Sequence, residues 1–413
     1  MKLLSKLVSY LLLLSNIISC TAAPKPSDKT AKEILGNPNY QAICYSGYRE
    51  NNRDARPTLE QTKEDLKILA ALNFKIVRTY KTKYNESSIV LEAIKELKKE
   101  DPKFEMYMML GVWIDCENAF TNLEPNHNAE NLEANELEIK NAVALAKQYP
   151  DIVKIIAVGN EAMVKWATSY YVQPNIILKW VNYLQKLKKE NVISKDIWIT
   201  SSDNFASWGG GGSEYHTPDL EKLIKAVDYI SMHTYPMHDT HYNPNFWKTP
   251  ESEKNLSKKE KIDAAMLRAK NYAKGQYAAV KNYMESLGVD KPIHIGETGW
   301  ASSSDGFYGN EGSRATDEYK QKIYYDAMRA WTNKENITCF YFEAFDEIWK
   351  DAANPAGSEN HFGLFKVDGT AKYVLWGKVD DGTLAPFSRD GKPITKSYNG
   401  SLEKLFSEVE APK

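Results

Sequence analysis

Apolar, β-branched runs of five to nine residues recur along the chain. Each is followed by a stretch whose apolar positions return with the 3.6-residue period of a helix. The runs predict strands over Ala42–Tyr48, Lys75–Tyr80, Glu105–Ile114, Ile155–Glu161, Ile197–Asp203, Tyr229–Pro236, Pro292–Trp300 and Cys339–Asp346. Between them, helical periodicity covers roughly 86–100, 131–148, 175–190, 218–227, 260–287 and 315–334. Thr58 and Gln61 have the spacing of a capping box, and Thr217-Pro218 is an N-cap followed by proline at the first helical position. Strands alternating with helices imply parallel pairing and right-handed crossovers. Eight of them suggest one closed (β/α)8 TIM barrel, with an open doubly wound sheet as the rival. No Gly-rich phosphate fingerprint follows any strand, and Gly209–Gly212 lacks a closing Lys-Ser or Lys-Thr. That removes the usual nucleotide-binding rationale for the rival.

The first twenty residues follow neither period. Lys2 and Lys6 precede an apolar stretch, Leu7–Leu14 with Ile17 and Ile18, too short to span a bilayer comfortably. This is a secretory signal, and Ile17-Ile18-Ser19-Cys20 resembles a bacterial lipoprotein box in which Cys20 carries the lipid. The expectation is a membrane-anchored protein of a Gram-negative-like envelope, on the periplasmic or cell-surface face of the outer membrane. The chain then divides into a signal at 1–19, a tether at 20–38, a barrel at 39–378 and a C-terminal extension at 379–413. The extension is expected to wrap the barrel's underside or to stay mobile. Cys44, Cys116 and Cys339 read as buried thiols. Cys44–Cys339 is the one pairing worth checking, because a closed barrel makes its first and last strands neighbours.

Composition narrows the function. The 413 residues carry 53 basic and 55 acidic side chains, which argues against a nucleic-acid partner held by phosphate contacts. A mean hydropathy of −0.53 excludes a polytopic membrane protein. Aromatic residues make up 12%, enough to ask whether some rings face a ligand. His238-x-x-His241 has no helical His-Glu-x-x-His context and no Cys pair, so neither a metal nor a cofactor is expected.

In a barrel of this kind the chemistry sits at the C-terminal ends of the strands. There Glu161 closes the fourth run and Glu297 lies in the end of the seventh, each beside glycine and polar residues. An ionised carboxylate next to an apolar run is costly unless paired or used. Two facing one cleft are what glycoside hydrolysis needs: one protonates the leaving oxygen, while the other attacks the anomeric carbon or activates water.

Val158-Gly159-Asn160-Glu161 and Gly296-Glu297-Thr298-Gly299-Trp300 closely resemble glycoside hydrolase family 17, the β-1,3-glucanase family. So does Phe345-Asp346-Glu347-Ile348-Trp349-Lys350 followed by His361-Phe362-Gly363-Leu364-Phe365. The resemblance spans roughly Tyr40 to Trp376, with the motifs in the family's order. It implies a retaining mechanism with Glu161 as general acid/base and Glu297 as nucleophile. It places Asn160 on the sugar 2-hydroxyl, Tyr235 on Glu297, and Glu347 with Lys350 as an auxiliary pair. Arg78 and Tyr48 are further candidates, with Glu343 and Asp346 as supporting carboxylates. Rings bind pyranose faces, and Trp300 and Phe345, adjacent to the motifs, are the first candidates among Trp113, Trp166, Trp208 and Trp349. The loop His238–Glu260, with Phe246 and Trp247, is expected to wall one end of the cleft. Ala301 stands where plant members have proline, and Glu117–Glu138 is a long acidic loop, so subsite structure departs from theirs. The implied activity is endo-hydrolysis of a laminarin-like β-1,3-glucan by a monomer. Transfer to a sugar acceptor and a non-catalytic glycan-binding lipoprotein are the alternatives.

Overall fold

The computed structural model describes residues 29–413, so the signal and Cys20 lie outside the described residues. Eight parallel strands close into a barrel: β1 Gln41–Cys44, β2 Phe74–Arg78, β3 Tyr107–Val112, β4 Val153–Asn160, β5 Trp198–Asn204, β6 Ile230–His233, β7 Ile293–Thr298 and β8 Cys339–Tyr341. Each pairs with its sequence neighbours, and β1 pairs with β8. The doubly wound alternative is excluded by that closure. The strands are buried on both faces, as parallel strands covered by helices are, and their polar residues, such as Thr200–Asn204 of β5, gather toward the cleft end.

Outside the barrel pack α1 Leu59–Ala71, α2 Glu86–Glu100, α3 Leu132–Gln148, α4 Pro174–Lys189, α5 Pro218–Ala226, α6 Lys258–Ser286 and α7 Glu318–Lys334. Their starts follow local chemistry. Thr58 and Gln61 form the capping box of α1, and the Thr217 side chain accepts from Leu220 N–H at the head of α5. The unanticipated cap is Ser257, which forms a reciprocal box with Glu260 and opens the 29-residue α6.

Several strands are shorter than their apolar runs. The run from Cys339 leaves the ladder after Tyr341 because its backbone turns to a different partner. Ala344 N–H still reaches Cys44 O, but Asp346 N–H bonds Phe365 O and Phe365 N–H bonds Ala344 O. The returning Phe362–Phe365 segment thus continues the sheet's work at the rim. The Cys44–Cys339 pairing does not form, and both thiols are buried and free. The register explains it: Ala42 faces Phe340 and Ile43 faces Tyr341, so the two cysteines sit at opposite ends of the β1–β8 contact.

The segment after Trp376 neither covers the underside nor hangs free. It packs along the cleft end of the barrel, where the helices start. Arg389 pairs with Asp65 of α1 at 2.8 Å, and its guanidinium lies 3.8 Å from the Phe345 ring centre. Phe406 packs edge-on against Tyr319 of α7, and Thr249 N–H bonds Lys413 O at 2.9 Å. The chain enters at the other end. Gly36 N–H bonds Thr338 Oγ1, just before β8, and Tyr40 bonds Glu105, just before β3. Removing one partner of a fully buried ion pair strands the other. Arg389→Ala is therefore expected to cost about 3 kcal/mol in urea denaturation, with Arg49 at 2.9 Å left to hold Asp65. Lys396→Ala, which breaks the exposed pair with Asp380, should change stability by less than about 1 kcal/mol.

Candidate active site

Glu297 points into the barrel mouth from β7, and Glu161 follows the last residue of β4. The backbone turns sharply to present Glu161. Gly159 has φ +83° and Glu161 itself φ +45°, both in the left-handed region. A side chain at 159 would be strained there and would also meet Ala162 and Ile177. Gly296 is required for another reason. A Cβ there would run into Ser202 and Ser231, leaving no room for the histidine beside them.

That histidine is His233, at the end of β6. Its Nδ1 lies 3.0 Å from Glu161 Oε1 and 3.6 Å from Glu297 Oε2. One nitrogen therefore spans the two carboxylates, and their facing oxygens are at most about 7 Å apart. Nε2 lies 2.7 Å from Ser202 Oγ and 3.3 Å from Arg78 Nη1. Arg78 can only donate, which makes Nε2 the acceptor and leaves Nδ1–H to face Glu161. Nothing in the sequence around His233 marks it as catalytic or metal-binding, beyond its place one residue before the Thr234-Tyr235 strand end.

The two glutamates have opposed surroundings. The Glu161 side chain is 26% exposed and Glu297 only 7%. Burial alone would push the Glu297 carboxyl up. His233, the Arg78 guanidinium and the Tyr235 hydroxyl outweigh it and hold the carboxyl below the usual range. Arg78 Nη1 donates to Glu297 Oε1 at 2.7 Å, and Tyr235 Oη donates to Oε2 at 2.7 Å. Arg78 Nη2 donates to Asn160 Oδ1, which turns the Asn160 amide N–H2 toward the open cleft. Arg78 itself is buried behind Glu297 and does not line the cleft.

The cleft measures ≈ 1380 Å³ and holds Asn160, Glu161, Tyr235, Glu297, Glu347, Lys350 and Tyr48 on its walls. Lys350 Nζ lies 3.3 Å from Glu347 and 3.8 Å from Glu343. Burial, with Glu347 opposite, pushes the Glu343 carboxyl well up, and burial also raises Glu347. Burial works against the Lys350 charge, but these two carboxyls overcome it and keep the ammonium. Asp346 points away and pairs with Lys372 at 2.6 Å. Ser46 Oγ, Tyr80 Oη, Glu347 Oε1 and Trp349 Nε1 are buried on this wall without a hydrogen-bond partner among the described residues. They are donors and acceptors placed for a polar ligand.

Two expected ring platforms are not in the cleft. Trp300 is fully buried, donates from Nε1 to Ala315 O, and packs on Trp247 and Tyr324. Phe345 is buried between Phe365 and Arg389. Trp208 is likewise internal, and Phe246 and Trp247 are not on the cleft wall. Rings that do line it include Trp113, Phe120 and Tyr170, which pack together, Tyr48 against Trp349, and Trp166, Tyr84 and Tyr242. Phe120, in the long acidic loop, stacks on Tyr170. Tyr235→Phe removes a donor to ionised Glu297 and leaves the ring. The Glu297 carboxyl should then titrate at higher pH than in the unaltered chain, read from the ¹³C shift of labelled glutamate. An unchanged or lower midpoint contradicts the geometry.

Residues 42–363 match the family model described as the BtgE/BtgC glycoside hydrolase domain. The chain is 63% identical to a crystal structure of an endo-laminarinase from Formosa Hel1_33_131, with a TM-score of 0.92, covering 93% of this chain and 98% of that one. It is 26% identical to a glucan 1,3-beta-glucosidase of Arthroderma benhamiae over 66% of this chain and 72% of that protein. It is 24% identical to a probable glucan endo-1,3-beta-glucosidase, btgC, of Aspergillus terreus over 82% of this chain, spanning 46% of that longer protein. The motifs, the barrel and these matches agree: the chain belongs to the BtgE/BtgC glycoside hydrolase domain family, within the β-1,3-glucanases of glycoside hydrolase family 17.

Proposed function

We propose that the chain is a retaining glycoside hydrolase that cleaves β-1,3-glucan of the laminarin type from within the chain. The observation that carries this reading is the pair Glu161 and Glu297 at the two sides of one histidine nitrogen. The bound of about 7 Å between their facing oxygens admits the roughly 5 Å geometry in which the second carboxylate attacks carbon directly and excludes most of the wider range. Inversion needs more room, for a water between carboxylate and sugar.

The chemistry follows from the surroundings. Glu297, held ionised by Arg78 and Tyr235, attacks the anomeric carbon and forms a glucosyl ester. Glu161, the more exposed of the two, gives its proton to the departing glycosidic oxygen. It then takes a proton from the incoming water, which attacks the ester and frees Glu297. Asn160, its oxygen fixed by Arg78, offers its amide to the sugar 2-hydroxyl. Glu347, Lys350 and the unpartnered polar atoms of Ser46, Tyr80 and Trp349 suit the hydroxyls of the sugar being cleaved. A cleft with aromatic residues along its walls suits a chain bound across the site rather than by its end. The identity to an endo-laminarinase over nearly the whole chain supports the same reading.

We also propose that Cys20 carries a lipid that ties the protein to a membrane. The Ile17-Ile18-Ser19-Cys20 box supports this. Among the described residues no helix is long and apolar enough to cross one.

Glu297→Ala should lower laminarin hydrolysis by at least about 10³-fold while the folded chain still melts cooperatively. Near-normal activity would remove Glu297 as nucleophile. A product time course on laminarin should show intermediate oligosaccharides before glucose. Glucose alone at early times would replace endo with exo action. Cys20→Ser, expressed in a host with a lipoprotein pathway, should move the protein from the detergent phase to the aqueous phase in Triton X-114. No change in partition would remove the anchor.

A further inference from the structure

Asp203 is the last-but-one residue of β5 and is fully buried, yet nothing so far accounts for it. Its Oδ2 accepts from Met163 N–H at 2.7 Å, and its Oδ1 accepts from its neighbour Asn204 N–H at 2.8 Å. Met163 is two residues beyond Glu161. The preceding residue on the same strand, Ser202, receives Glu161 N–H on its carbonyl at 2.9 Å. Adjacent residues of β5 thus grip both sides of the turn that presents Glu161.

That turn needs gripping. Glu161 sits at φ +45° without glycine's freedom, a conformation that costs free energy and persists only when its surroundings over-determine it. The ladder between β4 and β5 is also irregular between Ala157 and Asn160, so regular pairing does not hold it. Beyond Met163 the chain runs out to the exposed Trp166. Val172 N–H closes the excursion on Ala162 O at 2.7 Å. A side chain without an acceptor oxygen at 203 would leave the Met163 amide buried without a partner.

We propose that Asp203 is the positioning residue of the general acid, fixing the left-handed turn so that Glu161 meets the leaving oxygen. It is not on the cleft wall and touches no substrate; it reaches the acid's turn through the Met163 amide, while its other oxygen holds Asn204 N–H. Burial pushes its carboxyl up to about 7 against the pull of that amide, and nearby Glu161 adds to the rise. This inference rests on Glu161 being the acid.

The test separates acid alignment from general damage. A 2,4-dinitrophenyl β-laminaribioside has a leaving group that departs without a proton, so its first turnover does not depend on the acid. Laminarihexaose needs the proton. Asp203→Ala is expected to lower kcat on laminarihexaose by about 100-fold, the scale of general acid catalysis. First-turnover release of dinitrophenolate should stay within about threefold. Added azide should speed turnover of the dinitrophenyl substrate and give the β-glycosyl azide, because it needs no general base. Asp203→Asn keeps shape and one acceptor, so it gives the same readouts, less severely, if the alanine variant does not fold. Equal loss on both substrates, or loss on neither, overturns the inference. Glu161→Ala is run beside them. If it also fails to distinguish the substrates, the acid role of Glu161 falls and this inference with it. If it distinguishes them and the Asp203 variants do not, this inference falls alone.

Discussion

Glu297 is a carboxylate at the mouth of an apolar barrel, and keeping it ionised there constrains much of the site. Desolvation favours the neutral acid. His233 from β6, Arg78 from β2, Tyr235 from just beyond β6 and Lys350 from past β8 oppose it. A barrel that closes brings β2 across to β7, which an open sheet would separate. Arg78 then has to be buried itself; it also donates to Gly296 O and Asn160, while its Nε has no partner among the described residues. So the residue expected at the sugar acts through two others, and the same guanidinium sets the charge of one and the orientation of the other.

Much of this was legible because local chemistry and global fold agree. Helices with strong caps lay where the periodicity put them, and the glutamates stood at the strand ends. The ring assignments failed for a reason of period. Side chains alternate along a strand, so Thr298, next to Glu297, faces the helices, and Trp300, two residues on and just past the strand end, lies on that same side. It meets Tyr324 of α7 there, as Thr298 does. Closeness in sequence to a catalytic residue therefore counted against Trp300. Phe345 was lost differently, since its partner Phe365 comes from a return segment that no local pattern announces. His233 was hidden because a histidine is informative only through its neighbours. Its neighbours here lie on β2, β5 and β7 or just past β4.

The C-terminal segment shows how a region without a motif still bears on the site. Arg389 covers Phe345, and Lys372, just ahead of that segment, holds Asp346. Those two residues lead directly into Glu347 and Lys350. The rim that carries the auxiliary pair is thus braced from outside the cleft by residues far along the chain. Such support is invisible to pattern reading, because long-range ion pairs have no sequence period.

The described chain begins at the barrel floor, beside the starts of β3 and β8, while both glutamates open at the roof. Floor and roof are opposite ends of a rigid, closed object. An anchor on Cys20, as proposed, would tie the protein on the side of the floor, at the end opposite the cleft. A polymer too large to slide beneath the barrel could still lie across its mouth.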